Sequence, residues 1–379
     1  MKIAVITSRY PSENNPYNHM FVHSRCVNMV KEGQSVVVYV PSSSIKSYTH
    51  EGVKVKVMPS VNINRELGEY DILYLHLLNI YPFSKRNGWL IYKNILNNNL
   101  PFVMYVHGSE VQKYKARMFE FNYRFTDFLK WIKKDILVIP KMKKFLQKTI
   151  KRNQGVAYVF PSIWMKNELE KNLDVTLKQF YIIPNGIDTS LFEFHELYPK
   201  KYKLLTLRPL SSKKYAVDLA IDMMQYLPEH FTLDIYGKGH FEKKYLKQIQ
   251  HLNLEHRIKI KNSFIERCNL NDFFKNYGVF LVPTRMDAQG VSMCEAMSSG
   301  LLIVSSNNTA IPEFVDNMNS GIIGDNLRET AYSLINVIED QNQYSKITVK
   351  ARASMEKIDM NIILKKELNL LKETSSIDK

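Results

Sequence analysis

The 379-residue chain is 45% hydrophobic and 23% charged, proportions that exclude global disorder. Its cysteines, Cys26, Cys268 and Cys294, are too few and odd in number for a disulfide framework. With 52 Lys+Arg against 37 Asp+Glu and no uninterrupted apolar run of roughly 18 residues, it is expected to be cytoplasmic, without a membrane-crossing helix, and strongly basic at +15.

At about 150 residues per domain the length predicts two domains. KIAVIT, residues 2–7, reads as a strand buried in a parallel sheet. Residues 20–32 show helical spacing, with Phe21, Val22, Val27, Met29 and Val30 to one side. Gly33 is the candidate left-handed residue that ends that helix. SVVVYV follows as the next strand, so the chain opens on a strand–helix–strand unit. The apolar runs DILYLHLL, PFVMYVHG, GVAYVFPS and FYIIPNG, each with a turn signal behind it, continue the pattern. It restarts after Leu197 with YKLLTLRP, FTLDIYGKG, RIKIKNSF, VFLVPTR and LLIVSSN. The polar stretch 185–203 joins the two series, and 341–371 reads as terminal helices with a polar tail. The expected fold is α/β: two Rossmann-like domains, 1–190 and 191–350, facing each other across a cleft. Chemistry is sought at the carboxyl ends of the strands.

The charge is not spread evenly. Residues 113–152 hold 13 Lys/Arg and three Asp/Glu, a surplus of +10. Phe119, Phe121, Tyr123, Phe125, Phe128, Trp131, Phe145 and Leu146 are interleaved with them. Basic residues among large aromatics suit an interfacial helix on anionic lipid, which is favoured here over a nucleic-acid groove. Some of these aromatics must be core.

The most informative loop lies in 279–315. A strand delivers Pro283-Thr284-Arg285, and a polar loop follows with Asp287, Gln289 and Gly290. A helix then starts near Val291 and carries Glu295. Gly290 permits close backbone approach, and Val291 and Ser292 lie in a first turn whose N–H groups lack intrahelical partners. With the helix dipole, that is an anion site. A diphosphate fits there, with Glu295 accepting hydrogen bonds from ribose hydroxyls. The bland alternative makes Asp287 a loop cap and Glu295 a solvated helix residue.

Asp287 to Glu295 resembles the E-x7-E signature of the retaining glycosyltransferases of family 4, with Asp in place of the first Glu. EAMSSGLLIVSSNNTAIPEFV is similar to that family's E-A-x-A-x-G-x-P-V…G-x-x-E run. YIIPNGID at 181–188 resembles its interdomain I-P-N-G-V-D, and LRPLSSK at 207–213 its G-R-L-x-x-x-K-G with the leading Gly lost. YGKG at 236–239 resembles its G-x-G loop, and HGSE at 107–110 its H-G-x-D. The resemblance implies a GT-B fold, with residues 351–379 forming a helix that packs back on the first domain, plus a polar tail. It implies a hexosyltransferase-type enzyme that takes a sugar from an NDP-sugar donor, bound in the second domain, to a glycan or lipid-linked glycan bound in the first. The anomeric configuration would be kept, in the biosynthesis of a surface polysaccharide.

On that resemblance His107, Asp287 and Glu295 are catalytic. Arg208 and Lys213 hold the donor diphosphate with Gly290, Val291 and Ser292, although Lys214 stands beside Lys213. Gly237 and Gly239, with Glu295, serve the nucleotide. The sequence has no D-x-D, so cationic side chains are expected to replace a metal, and no cofactor is expected. Family members carry glycines in the first loop, where this chain has PYNHMF, residues 16–21. Asn18 or His19 then contacts the donor through its side chain, or the loop serves the acceptor, as Glu110 does. The expected partners are the donor, the acceptor and, through 113–152, an anionic membrane, with no nucleic acid. The enzyme would be peripheral to the inner face of the cell membrane. Two rivals are an NDP-sugar epimerase of similar fold and a non-enzymatic lipid- or nucleic-acid-binding module.

Overall fold

The computed structural model describes residues 1–13, 15, 18–152 and 154–375. The Pro16–Tyr17 part of the first-loop reading and the tail at 376–379 lie outside the described residues. The chain forms two units, Met1–Pro184 with Ile363–Lys379, and Asn185–Ile362.

The first unit is built on one sheet. Its strands are β1 (Lys2–Thr7), β2 (Ser35–Pro41), β3 (Lys46–His50), β4 (Val53–Met58), β5 (Ile72–His76), β6 (Phe102–Tyr105), β7 (Val156–Phe160) and β8 (Tyr181–Ile182). They lie in the order β3-β4-β2-β1-β5-β6-β7-β8. Only β3 runs antiparallel, against β4. Central strands such as β1 are apolar between their ends, Ile3 to Ile6, because helices cover both faces of the sheet. The helix Met20–Lys31 follows β1, and Gly33 just beyond it takes φ 76°, as its position predicts.

The β3–β4 hairpin lies in a stretch where the sequence reading places no strand. An edge pair buries one face only, so VKVKVM alternates apolar and lysine instead of forming an apolar run. Its turn is Glu51-Gly52, with φ 45° and 80°, the pair of left-handed residues that a two-residue hairpin turn requires.

The second unit has β9 (Lys203–Leu207), β10 (Thr232–Tyr236), β11 (Ile258–Lys261), β12 (Val279–Leu281), β13 (Leu302–Ser306) and β14 (Ile322–Gly324). All pairs are parallel, in the order β11-β10-β9-β12-β13-β14. One core packs on each face: Leu204, Leu233 and Leu281 on one side, Leu205, Phe280 and Ile303 on the other.

The unit boundaries differ from 190 and 350. Residues 185–190 stay with the second unit because Ile187 exchanges backbone hydrogen bonds with Ile358 (3.0 Å) and Met360 (2.8 Å), and the Thr189 hydroxyl donates to Asp359 (2.6 Å). From Ile363 onward the last helix, Met360–Ser375, belongs to the first unit. There Glu367 accepts a hydrogen bond from Arg25 Nε at 2.8 Å, both side chains being buried.

The basic segment splits in two. Phe145 and Leu146, on the helix Ile139–Thr149, are core. The helix Phe125–Ile132 and the turn after it expose Phe125, Phe128, Leu129, Trp131, Ile136 and Leu137. No helix among the described residues is long and apolar enough to cross a membrane.

Candidate functional site

In the second unit three strand-end loops converge on Arg208, one residue past β9. The Arg208 N–H donates to the Tyr236 carbonyl (3.0 Å), and the Leu210 N–H to the Lys238 carbonyl (2.9 Å), so the β9 loop lies flat on the YGKG loop after β10. A Cβ on Gly237 would collide with the Arg208 carbonyl, and one on Gly239 with the Leu210 backbone. These glycines, expected beneath the nucleotide, are thus required for the close approach that fixes the Arg208 loop.

Arg208 is 5% exposed. Its Nη1 lies 3.4 Å from Ser292 Oγ and 3.5 Å from Asp287 Oδ2. Its Nε and Nη2 are buried without a hydrogen-bond partner among the described residues. Leaving such donors unpaired costs about 1–3 kcal/mol or more for a charged group. A buried cation with two idle donors beside a helix start is therefore built for an anion that can receive them.

Asp287 caps its loop and also faces Arg208. Its Oδ1 accepts from the Gly290 N–H (2.8 Å) and the Gln289 N–H (3.3 Å), a loop cap, while Oδ2 faces Arg208. Gly290, at φ 76°, starts the helix Val291–Ser298, which places the Val291 and Ser292 N–H groups in its first turn. Gln289 is buried and makes three hydrogen bonds to Asn185: Oε1 accepts from the Asn185 N–H (2.7 Å) and Nδ2 (2.6 Å), and Nε2 donates to the Asn185 carbonyl (2.9 Å). This pairing ties the PNGID segment to the loop and could not be read from spacing.

Glu295 sits in the same helix, 12% exposed at the side chain and 3.6 Å from Arg267. Burial pushes its carboxyl up to about 7, with Arg267 opposing the shift. It is not a solvated helix residue. Lys213 opens a short turn pinned by Arg285, whose Nη1 donates to the Lys213 carbonyl (2.9 Å). Arg285 also holds Asp218 in a bidentate pair at 2.8 and 2.6 Å. Neighbouring Lys214 lies over the Tyr215 ring at 4.6 Å.

In the first unit the histidines gather at the carboxyl edge of the sheet. His107 follows β6, and its Nε2 lies 3.0 Å from Nδ1 of His76, the last residue of β5. Tyr105 stacks on His107 at 4.5 Å between ring centroids, and Phe21 packs on it at 4.6 Å. Burial holds both imidazoles well below their ordinary range, each further depressed by the Arg25 charge, so both are neutral near pH 7. Sequence reasoning missed His76 because it lies inside an apolar run.

Glu110, expected to face the acceptor, is buried beneath His107 instead. Its Oε1 accepts the His107 N–H at 2.7 Å, which fixes the HG turn. Burial raises its carboxyl. His19, at φ 50° before the helix Met20–Lys31, pairs with the Thr7 hydroxyl at 2.9 Å, and burial lowers it to about 4. Asn18 stands next to it, half-buried. Beside the HG turn is a cavity of about 310 Å3 lined by Tyr81, Ser109, Arg117, Lys130, Lys133 and Lys134 among others. Burial pushes the Lys134 ammonium down to about 8.

Residues 188–354 match the model of the family described as Glycosyl transferases group 1. That span is similar to a group 1 glycosyl transferase domain. Two sequence relatives are the GtfA subunits of UDP-N-acetylglucosamine–peptide N-acetylglucosaminyltransferases. That of Streptococcus gordonii is 29% identical over 28% of this chain, and that of Streptococcus agalactiae 30% identical over 33%. The matches span 22% and 24% of those relatives' own length. Among solved structures, HepE of Anabaena with UDP and glucose has a TM-score of 0.73 at 15% identity, covering 98% of this chain and 99% of that one. Sucrose-phosphate synthase of Thermosynechococcus elongatus has a TM-score of 0.73 at 13% identity, covering 98% of each. These likenesses establish the GT-B fold. The expected fold holds, and the family match over 188–354 supports the expected glycosyltransferase.

Proposed function

We propose that the chain moves a hexose from a UDP-type nucleotide sugar to a glycan or lipid-linked glycan, with retention of anomeric configuration, in the making of a surface polysaccharide. The observation that carries the donor half is Arg208, a buried guanidinium with two unpaired donors set beside Ser292 and the start of the Val291–Ser298 helix. A diphosphate supplies the oxygens those donors lack and takes up the N–H groups of Val291 and Ser292, with Lys213 as a further cation. Side-chain cations then neutralise charge growing on the leaving diphosphate, and no metal is called upon. Glu295 receives the ribose hydroxyls. Asp287, anchored to Arg208, serves the sugar. UDP as the base and diphosphate draws support from the UDP complex of HepE.

His107 serves the acceptor hydroxyl, with Asn18 and His19 on the same strand edge. The cationic cavity beside the HG turn suits an acceptor bearing phosphate. The exposed Phe125, Phe128 and Trp131 among lysines suit attachment to the inner, anionic face of the cell membrane.

The test is a panel of NDP-sugars assayed for transfer to cell lipid extract and to peptide, and for hydrolysis or epimerisation without acceptor. Transfer to lipid extract that is abolished by Arg208→Ala supports the reading. Transfer to peptide alone redirects the acceptor toward that named for the GtfA subunits. A product that is a new NDP-sugar, or no NDP-sugar turnover at all, refutes it. Sedimentation with anionic vesicles at low and high salt tests the membrane claim, which falls if no pelleting occurs at either.

A further inference from the structure

Apart from the residues assigned to the transfer chemistry, three potential metal ligands converge on the β3–β4 hairpin. His23 lies on the helix Met20–Lys31, His50 ends β3, and Glu51 opens the turn. Their ligand atoms all lie within 4.8 Å of one another. We propose that His23, His50 and Glu51 bind a divalent transition-metal ion of the zinc class, which fastens the hairpin tip to the helix that follows His19.

The spacing supports this. Two ligands on a tetrahedral ion about 2.1 Å away stand roughly 3.4 Å apart. His23 Nε2 and Glu51 Oε2 are separated by 3.1 Å, and the His23 and His50 rings by 4.7 Å between centroids. Two imidazoles and one carboxylate form a donor set that zinc accepts, leaving a fourth position for water.

The surroundings supply the outer support that such ligands use. His23 is 1% exposed, and its Nδ1 lies 2.8 Å from the buried Tyr10 hydroxyl. In the tautomer a metal would select, the proton sits on Nδ1, directed at the phenol oxygen, and the Nε2 lone pair faces the carboxylate. A cation reconciles those two acceptors, and a hydrogen-bonded second atom is the usual condition of a metal-ligating histidine. Tyr48, also on β3, donates its hydroxyl to the Pro11 carbonyl (2.7 Å), which seats the hairpin over the same loop as Tyr10. Glu51 itself holds φ 45°, where glycine, asparagine or aspartate is usual. That conformation presents its carboxylate to His23.

The site is separate from the donor and acceptor residues, so its metal would be structural. Untagged, metal-stripped full-length protein is titrated with Zn2+ against a chromophoric chelator and, separately, with Co2+ by visible absorption. The expected result is saturation at one ion per chain, a four-coordinate Co2+ spectrum and a Zn2+-dependent rise in melting temperature. His50→Ala and Glu51→Gln change half-buried and exposed positions and leave the fold intact, as circular dichroism will report. Each is expected to weaken binding by at least the roughly 10- to 100-fold that even an outer-shell loss costs, and their combination to abolish the thermal shift. Zn2+ affinity equal in wild type and double variant, or a thermal shift that survives in the double variant, overturns the proposal.

Discussion

Replacing Glu295 by Gln is expected to stabilise the protein while weakening donor binding, and the stabilisation has a defined pH window. Burial holds the folded carboxyl near 7 against an ordinary 4.5, even with Arg267 at 3.6 Å. Below 4.5 both folded and unfolded chains carry the proton, so Glu and Gln are equivalent there. Between 4.5 and 7 the unfolded chain releases its proton while the folded chain keeps it, and wild-type stability falls as the pH rises. Above 7 the loss is complete. At about 1.4 kcal/mol per pH unit, the plateau is about 3 kcal/mol. The three tryptophans, Trp89, Trp131 and Trp164, all lie in the first unit, so their fluorescence does not follow this site. Urea-dependent hydrogen exchange across 291–299 does. Glu295→Gln should match wild type near pH 4.5 and exceed it by about 3 kcal/mol at pH 8, with the gap opening in between. Over the same range wild-type UDP affinity should rise as Glu295 ionises, beyond any rise the variant shows from the ligand's own phosphate, which titrates near 6. Equal stability at pH 8, or a gain as large at pH 4.5, would refute the claim that this carboxylate is held desolvated for a ligand.

Other substitutions probe the remaining parts. Arg208→Ala should cost about 100- to 1,000-fold in kcat/KM for the nucleotide sugar, the scale of a lost preorganised donor, and steady-state kinetics read it directly. Gly237→Ala drives a methyl into the Arg208 carbonyl. It should destabilise the second unit by about 1–3 kcal/mol and raise the UDP Kd, measured by chemical unfolding and calorimetry. His76→Phe removes the partner of His107 at 3.0 Å, so kcat should fall by about 10-fold or more while the donor KM holds. Lys130→Glu with Lys133→Glu should abolish low-salt pelleting with anionic vesicles and leave acceptor-free hydrolysis unchanged.

What could be read from sequence was local. β1, β2 and β5 to β7 are apolar runs because both faces are covered, and Gly33 ends its helix because only a left-handed residue closes there. The β3–β4 hairpin escaped because alternating lysines mask a one-sided strand, although Glu51-Gly52 was a usable turn signal. Asp287 and Glu295 stood out at a loop and helix start after a strand, and Arg208 through a family pattern, but their environment was not legible. Nothing in the spacing shows that the YGKG glycines cradle the Arg208 loop or that Glu295 is desolvated. Equally, the Asn185–Gln289 exchange spans 104 residues and the Arg25–Glu367 pair 342. Such contacts belong to the folded chain, and no window of sequence contains them.

The net charge is the clearest case in which a bulk property misleads about a site. Two-thirds of the +15 lies in 113–152, where lysines such as Lys130 stand exposed beside Phe128 and Trp131. Screening reduces such charges within about a Debye length, roughly 10 Å at 0.1 M salt, so their effect should fade as salt rises. Arg208 works in the opposite regime. It is one cation, buried, half-compensated by Asp287 and short of hydrogen-bond acceptors. Its contact with a diphosphate should persist at salt that strips the protein from vesicles. Donor turnover that survives high salt while vesicle binding fails would separate the two roles of positive charge in one chain. Parallel loss of both would tie donor binding to the surface field and remove Arg208 from the centre of the donor site.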